Sequence, residues 1–275
     1  MSERESYPHG VPCWVDALVP DPEAARRFYG GVFGWEFEGP VPMAGNPDGA
    51  YYLARVRGRD VAGVGSLPPG MPGAGHMTHV RVESAGEAAR AAEKAGGHVL
   101  APPFDVPPVG RMAVLQDPGG GQFAAWEAAG RDGAQLVNEP GAWSMSALHV
   151  ADPDAVIPFY AELFGWHAEP AGPGAWLLRL PGYVGGEPEQ PVPRDVVALI
   201  EQDPEAARGF WRTDFWIADL DAAARAIPEL GGRVIDPPAP IPGLPFKAAL
   251  VADPAGATFS LSQFLLERAE TRAAA

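Results

Sequence analysis

Residues 21–35, DPEAARRFYGGVFGW, recur without gaps as DPDAVIPFYAELFGW at residues 152–166, and eight of the fifteen positions are identical. Two shorter motifs repeat in the same order, Gly-Gly-x-Val at residues 96–99 and 231–234 and Asp-Pro-x-Gly-x-x-Phe at residues 117–123 and 253–259. The offset between the copies grows only from 131 residues at the first motif to 136 at the last. A repeat that keeps its order and spacing predicts two halves with the same fold.

The residues around the repeated motif indicate strands and capped helices. Residues 13–19 form a short apolar stretch typical of a strand, and Asp21 followed by Pro22 suits the start of a helix. Gly34 suits the left-handed position that ends a helix. Ser84 and a glutamate three residues later have the spacing of a capping box, which predicts a second helix. With the strand patterns between them, these elements predict two strand–helix–strand–strand–strand modules in each half.

The domain boundaries follow from the same pattern. We place the first domain at residues 8–128, a polar linker at residues 129–140 and the second domain at residues 141–266. Pro158 lies inside the first helix expected in the second domain, where it removes a backbone hydrogen bond and should kink or weaken the helix. Residues 205–211, which follow an Asp-Pro pair, are interpreted as an added short helix.

The composition limits the partners of the protein. The 275 residues carry a formal net charge of −15, and the sequence pI is about 4.7. An acidic surface repels phosphate backbones and anionic lipids, so we expect neither a nucleic-acid partner nor a membrane partner. No apolar run approaches the roughly 18 residues of a membrane span, and residues 1–10 have no apolar signal core. These features favour a cytoplasmic protein, monomeric or homodimeric, that binds a small molecule.

Taken together, the repeated motifs resemble those of the vicinal oxygen chelate superfamily, which includes glyoxalase I, extradiol dioxygenases, fosfomycin-resistance enzymes and bleomycin-binding proteins. More narrowly, the chain is similar to two-domain actinobacterial members of that superfamily. The resemblance covers about residues 11–264. It implies an α+β fold of tandem glyoxalase-like domains, each with two βαβββ modules whose curved mixed sheets surround a cavity. The superfamily contains lyases, isomerases, oxygenases and binding proteins, so the fold alone does not give the function.

The resemblance also implies where a divalent metal would bind. The corresponding positions are Trp14, Met77 and Ala124 in the first half and Met145, Arg212 and Ser260 in the second half. Apart from a weak serine, none of these side chains is a suitable ligand for a divalent metal. We therefore expect no cofactor, and a metal held by shifted ligands remains an alternative.

In the first half, strand alternation brings two other polar residues to the cavity. Side chains two positions apart on a strand point the same way, so Asp16 shares a face with Trp14 and His79 shares a face with Met77. Asp16 and His79 could form an acid/base pair, ligate a metal or serve as a buried structural pair. We expect the ligand to bind here, beside Asp16 and His79, with Trp14, Met77 and Trp126 as the ligand-binding residues.

In the second half, the inward-facing rows place a further set of candidate ligand-binding residues around the cavity: Met145, Arg212, Asp214, Trp216 and Ser260. Arg212 beside Asp214 can be an ion pair, or Arg212 can clamp a substrate carboxylate, since arginine suits bidentate recognition.

Three functions remain open on the sequence. The first is a metal-independent enzyme that isomerises, cyclises or eliminates from a partly apolar molecule of the secondary-metabolite type, with Asp16 and His79 as catalytic residues. The second is a ligand-binding or antibiotic self-resistance protein, which the tryptophans fit equally well. The third is a divalent-metal glyoxalase or dioxygenase with shifted ligands.

Overall fold

The first half of the chain forms one curved sheet with two helices. The structure, a computed structural model, describes residues 3–44, 46–71, 73–185 and 194–265. The elements of the first half are β1 (Pro12–Val19), α1 (Pro22–Phe33), β2 (Glu36–Met43), β3 (Asn46–Val56), β4 (Arg59–Ser66), β5 (Gly75–Arg81), α2 (Ala85–Lys94), β6 (His98–Val106), β7 (Gly110–Gln116) and β8 (Gln122–Ala128).

The second half repeats this order. Its elements are β9 (Trp143–Val150), α3 (Pro153–Phe164), β10 (His167–Gly172), β11 (Ala175–Arg179), β12 (Val196–Gln202), β13 (Phe210–Trp216), α4 (Leu220–Glu229), β14 (Arg233–Pro240), β15 (Phe246–Ala252) and β16 (Thr258–Phe264). The helices formed by the two copies of the long motif, α1 and α3, each begin after a capping aspartate. Each ends at a glycine in the left-handed conformation, Gly34 or Gly165, as the motif predicts.

Each half contains one mixed sheet whose strand order is the same in both. Within the described residues the order is β2-β3-β4-β1-β5-β8-β7-β6 in the first sheet and β10-β11-β12-β9-β13-β16-β15-β14 in the second. In both sheets the two modules meet at a central antiparallel pair, β1 with β5 and β9 with β13. The α+β fold of tandem domains with paired βαβββ modules is therefore confirmed.

The helices lie between the two halves and tie them together. Helix α1 contacts α4, and α2 contacts α3. Two buried hydrogen bonds cross this interface reciprocally: the Tyr29 hydroxyl donates to Asp253 at 3.0 Å, and the Tyr160 hydroxyl donates to Asp117 at 2.7 Å. These four residues belong to the repeated motifs, so the repeat specifies the pairing of the halves as well as the fold of each half.

The structure corrects two expectations about the second half. Helix α3 runs without interruption from Pro153 to Phe164 despite Pro158, because its apolar face is buried and tertiary packing outweighs one lost hydrogen bond. The short helix expected at residues 205–211 is absent: this stretch is a turn that leads into β13 at Phe210. Across the described ranges, no helix is both long and apolar enough to cross a lipid bilayer.

Candidate functional site

A cavity of about 640 Å³ opens on the concave face of the second sheet. Three strands line its floor, with alternate side chains pointing inward. The inward residues are Met145 and Ala147 on β9, Arg212, Asp214 and Trp216 on β13, and Ser260 and Ser262 on β16. All five residues that the sequence assigned to the second cavity therefore line it.

Asp214 lies at the centre of this floor, opposite Met145 on β9 and beside Ser260 on β16. The hydroxyls of Ser144 and Ser262 both donate to one carboxylate oxygen, the second at 2.5 Å. Burial raises the pKa of Asp214 to about 7, although the two serine hydroxyls lower it in part. At neutral pH the carboxyl therefore has comparable protonated and ionised populations, and it can accept or donate a proton.

Arg212 occupies the next inward position on β13, and its guanidinium lies over the ring of Phe210 at 5.3 Å from the ring centroid. Its Nε atom is buried and has no hydrogen-bond partner among the residues described. No ion pair joins Arg212 to Asp214 or to any other described residue. Of the two alternatives for Arg212, the structure does not form the ion pair with Asp214: serine hydroxyls bind Asp214, and Arg212 lies over an aromatic ring.

Aromatic side chains form the apolar walls of the cavity. The Trp216 ring stacks on Phe264 with centroids 6.3 Å apart and is tilted against Phe246 at 5.8 Å. Trp143 also lines the cavity, and its buried Nε1 has no hydrogen-bond partner in the described part of the chain. Such walls suit a flat, partly apolar ligand.

His149 borders the same cavity and is fixed by its neighbours. Its ring stacks on Phe210 at 4.9 Å, and its Nδ1 lies 3.5 Å from a carboxylate oxygen of Glu201. Burial lowers the pKa of His149 to about 4, assisted by the positive charge of Arg212. The imidazole is therefore neutral at physiological pH and adds no positive charge to the cavity.

The first sheet carries a different cluster on its concave face. His79 Nε2 lies 2.7 Å from one carboxylate oxygen of Asp16, while the other accepts the indole N–H of Trp14 at 2.6 Å and the hydroxyl of Tyr51. Burial alone would raise the pKa of Asp16, but His79 and the two other donors, Tyr51 and Trp14, outweigh it and hold the pKa below its usual value. The contact between Asp16 and His79 is the one that strand alternation predicts.

Tyr51 is the member of this cluster that sequence reasoning missed. It lies on β3, two strands away from β1, and reaches Asp16 across β4. The approach requires small residues on the intervening strand: a side chain on Gly63 would collide with both the Tyr51 hydroxyl and Asp16, and one on Gly65 would touch the tyrosine ring. The alternating glycines of β4 were the only signal in the sequence.

The other first-half residues assigned to ligand binding are packed against protein. Met77 is buried in a small apolar cluster with Leu18 and Ala124. The Trp126 indole donates to the Arg131 carbonyl at 2.9 Å, and its ring lies edge-on to His79 with centroids 6.3 Å apart. The structure thus brings Trp126 beside the Asp16 cluster.

The donor set does not fit the divalent metal that the fold suggests. The six positions where the superfamily holds its metal carry indole, thioether, methyl, guanidinium and hydroxyl groups here. The nearby Asp16 and His79 are hydrogen-bonded to each other. No group of three or more His, Cys, Asp or Glu side chains in the described ranges is arranged to hold a metal ion. We therefore derive no chemical step through a metal at either concave face.

Comparison with known proteins agrees with this fold. Residues 13–141 match the Glyoxalase/Bleomycin resistance protein/Dioxygenase superfamily, and residues 144–262 match the Glyoxalase-like domain family. Two solved structures, both under 25% identical, share the fold: the Mn(II)-bound glyoxalase from Novosphingobium aromaticivorans (TM-score 0.63, 16% identity, 94% of this chain and 83% of that chain covered) and the 2,3-dioxygenase LapB from Pseudomonas sp. KL28 (TM-score 0.62, 14% identity, 93% of each chain covered).

Two curated relatives match nearly end to end. The protein CFP32 of Mycobacterium tuberculosis, which carries a provisional glyoxylase name, is 34% identical over 95% of this chain and 97% of its own length. The anthracycline biosynthesis protein DnrV of Streptomyces peucetius is 32% identical, with 92% of each chain covered. The chain therefore belongs to the glyoxalase/bleomycin resistance protein/dioxygenase superfamily.

Proposed function

We propose that this protein is a metal-independent enzyme that binds a partly apolar small molecule in the second-half cavity and transfers a proton on it through Asp214. The observation that carries the proposal is the placement of this carboxyl, which lies on the cavity floor with a pKa of about 7. A general acid/base works best when its pKa is near the working pH, because both protonation states are then available. Perturbed carboxyls in clefts are also frequent at functional sites.

The reaction class follows from a single carboxyl group. Ionised Asp214 removes a proton from a carbon next to a carbonyl, and the electron pair moves to the carbonyl oxygen as an enolate. Return of the proton to another carbon gives an isomer, and loss of a leaving group gives an elimination product. Attack of the enolate on a second carbonyl of the same molecule closes a ring. Each outcome conserves atoms and electrons without a redox partner.

The substrate class is supported by the walls and by a relative. Trp216 and Trp143 offer flat apolar surfaces, and a volume of about 640 Å³ lies within the range of about 300–1,000 Å³ that is usual for small-molecule sites. DnrV is named as an anthracycline biosynthesis protein. We therefore propose a fused-ring aromatic secondary metabolite as the substrate.

Two other functions keep support from specific observations. The aromatic walls would also serve a binding or self-resistance protein that performs no chemistry. The Asp16–His79 pair is the second candidate for proton transfer, since the two side chains are 2.7 Å apart and next to Trp126. We favour Asp214 because Asp16 has both oxygens occupied by protein donors, whereas Asp214 borders an open cavity.

Proton transfer can be measured before the product is known. In deuterium oxide, with a panel of anthracyclinones, we expect the wild-type protein to introduce one or more deuterium atoms at carbon into at least one compound. The readout is a mass increase of about one unit per exchanged site. Quenching of tryptophan fluorescence reports binding in the same samples.

The outcomes separate the proposals. Exchange that is lost in Asp214→Asn supports the enzyme, and exchange that is lost only in His79→Gln transfers the chemistry to the first half. Binding with neither exchange nor product supports the binding protein. If no compound of the panel binds, the proposed substrate class is wrong.

A further inference from the structure

The second-half cavity is lined by arginines that have no carboxylate partner among the described residues, although Arg4 and Arg194 donate to the carbonyls of Glu3 and Gly185. Arg4 and Arg194 line it together with Arg212. None of these three arginines forms an ion pair within 4 Å of another residue in the described ranges. The protein as a whole carries a net charge of −15, so its arginines have many carboxylates available as partners. Arginines without an ion pair also occur elsewhere in the described ranges, such as Arg225 on α4, and these three are distinguished by lining the same cavity.

The acidic side chains around the same cavity are bound by protein groups. Glu169 forms an ion pair with Arg179 at 2.7 Å, and Glu201 lies against His149 at 3.5 Å. Asp214 accepts the two serine hydroxyls, and it is only partly ionised at neutral pH. Because His149 is neutral, Glu201 keeps its charge, and the lining carries three arginines against two ionised glutamates and the partly ionised Asp214.

Arg212 is arranged to bind a ligand. The carboxylates of Glu201, Asp203 and Asp236 act on its charge, but none forms an ion pair with it, and a buried N–H without a hydrogen bond costs free energy. The Phe210 ring supports one face of the guanidinium, which leaves the edge with its N–H donors directed away from the ring. The buried Nε is one of these donors, and it has no partner among the described residues.

A second unpartnered donor lies farther along the floor. Arg212 is opposite Ala147 on β9, and Trp143 is four residues from Ala147 along that strand. At about 3.3 Å per residue, the two backbone positions are roughly 13 Å apart, with Asp214 between them. A ligand that bonds to both Arg212 and Trp143 Nε1 is therefore extended, as a fused ring system is.

We propose that the substrate is an anion: a partly apolar, extended ring system with a carboxylate or similar oxygen acid at one end, which Arg212 binds. A carboxylate matches the paired N–H donors of a guanidinium, and Trp143 donates to an oxygen at the far end. This inference rests on the proposed function, since it assigns the substrate class of the same cavity. It places the middle of the ring system over Asp214.

The test uses anthraquinone-2-carboxylate and its methyl ester, which differ in charge and by one methyl group. We expect the wild-type protein to bind the acid about tenfold or more tightly than the ester, measured by calorimetry and tryptophan quenching. In Arg212→Met the affinity for the acid should fall to that for the ester, while the affinity for the ester stays within about twofold of the wild-type value. Retained ester binding shows that the variant is folded. Arg225→Met removes an equal charge from the exposed surface of α4 and should preserve the preference.

Each result decides between the two proposals. Equal binding of acid and ester by the wild-type protein, or a preference that survives in Arg212→Met, overturns the anion inference and leaves proton transfer by Asp214 standing. If Arg212→Met loses the preference for the acid, but the wild-type protein exchanges no deuterium into the anthracyclinones, the anion inference is supported and the proposed enzymatic function is contradicted. If neither probe binds, both the anion inference and the choice of this cavity are overturned.

Discussion

Asp214→Asn is expected to lower the rate of deuterium exchange into the substrate by about 10²–10⁴-fold while changing its affinity by no more than a few-fold. The amide keeps the size of the side chain and can still accept from Ser144 and Ser262, but it cannot take a proton. In the wild-type protein the rate should rise with pH through about 7 and then level off, because only the ionised carboxyl removes the substrate proton. The variant should lack this inflection.

The other charged groups at the cavity do not produce the same profile. Arg212 stays protonated, and burial keeps His149 neutral above pH about 4. Glu201 has the same sign of charge as ionised Asp214 and contributes to its raised pKa. Asp105→Asn is the matched control, because it removes a surface carboxylate paired with Arg111 and should leave rate and profile unchanged. Exchange by Asp214→Asn at the wild-type rate would contradict the assignment.

Asp16→Ala is expected to lower the free energy of unfolding by about 3–5 kcal/mol, because it leaves the other polar groups of the buried cluster without their acceptor. His79, Trp14 and Tyr51 would each lose the acceptor that now holds them, at positions that water reaches poorly. Urea unfolding followed by tryptophan fluorescence measures the change. Asp105→Ala, at an exposed ion pair, should cost about 1 kcal/mol or less.

A second variant separates a structural role of Asp16 from a catalytic one. Asp16→Asn keeps an acceptor for Trp14 and Tyr51 but removes the charge that faces His79. We expect it to fold and to keep deuterium exchange near the wild-type rate, since the chemistry is assigned to Asp214. An unfolding free energy for Asp16→Ala within about 1 kcal/mol of the wild type would show that the cluster adds little stability.

The fold was predictable because its determinants are local and repeated. The Asp-Pro caps and Gly34 with its counterpart Gly165 are read directly from the sequence, and each appears where the motif requires it. The failures concern tertiary context. Pro158 is tolerated because α3 buries its apolar face, and no local pattern reports that burial.

The candidate site was predictable only as far as strand alternation extends. Alternation correctly predicted that Arg212 and Asp214 share one face of the sheet and that Asp16 lies near His79. It could not show that serines, and not Arg212, hold Asp214, because those contacts cross between strands. The contact of Tyr51 with Asp16 likewise crosses between strands, and it requires Gly63 on the strand between them.

The most direct test of the account is a crystal structure with the compound that exchanges deuterium. The account predicts ligand density in the second-half cavity, with an anionic group on Arg212, an aromatic face on Trp216 and a carbon next to a carbonyl within reach of Asp214. Density only in the first half, against Trp14 and His79, would contradict it and assign the chemistry to the Asp16 cluster.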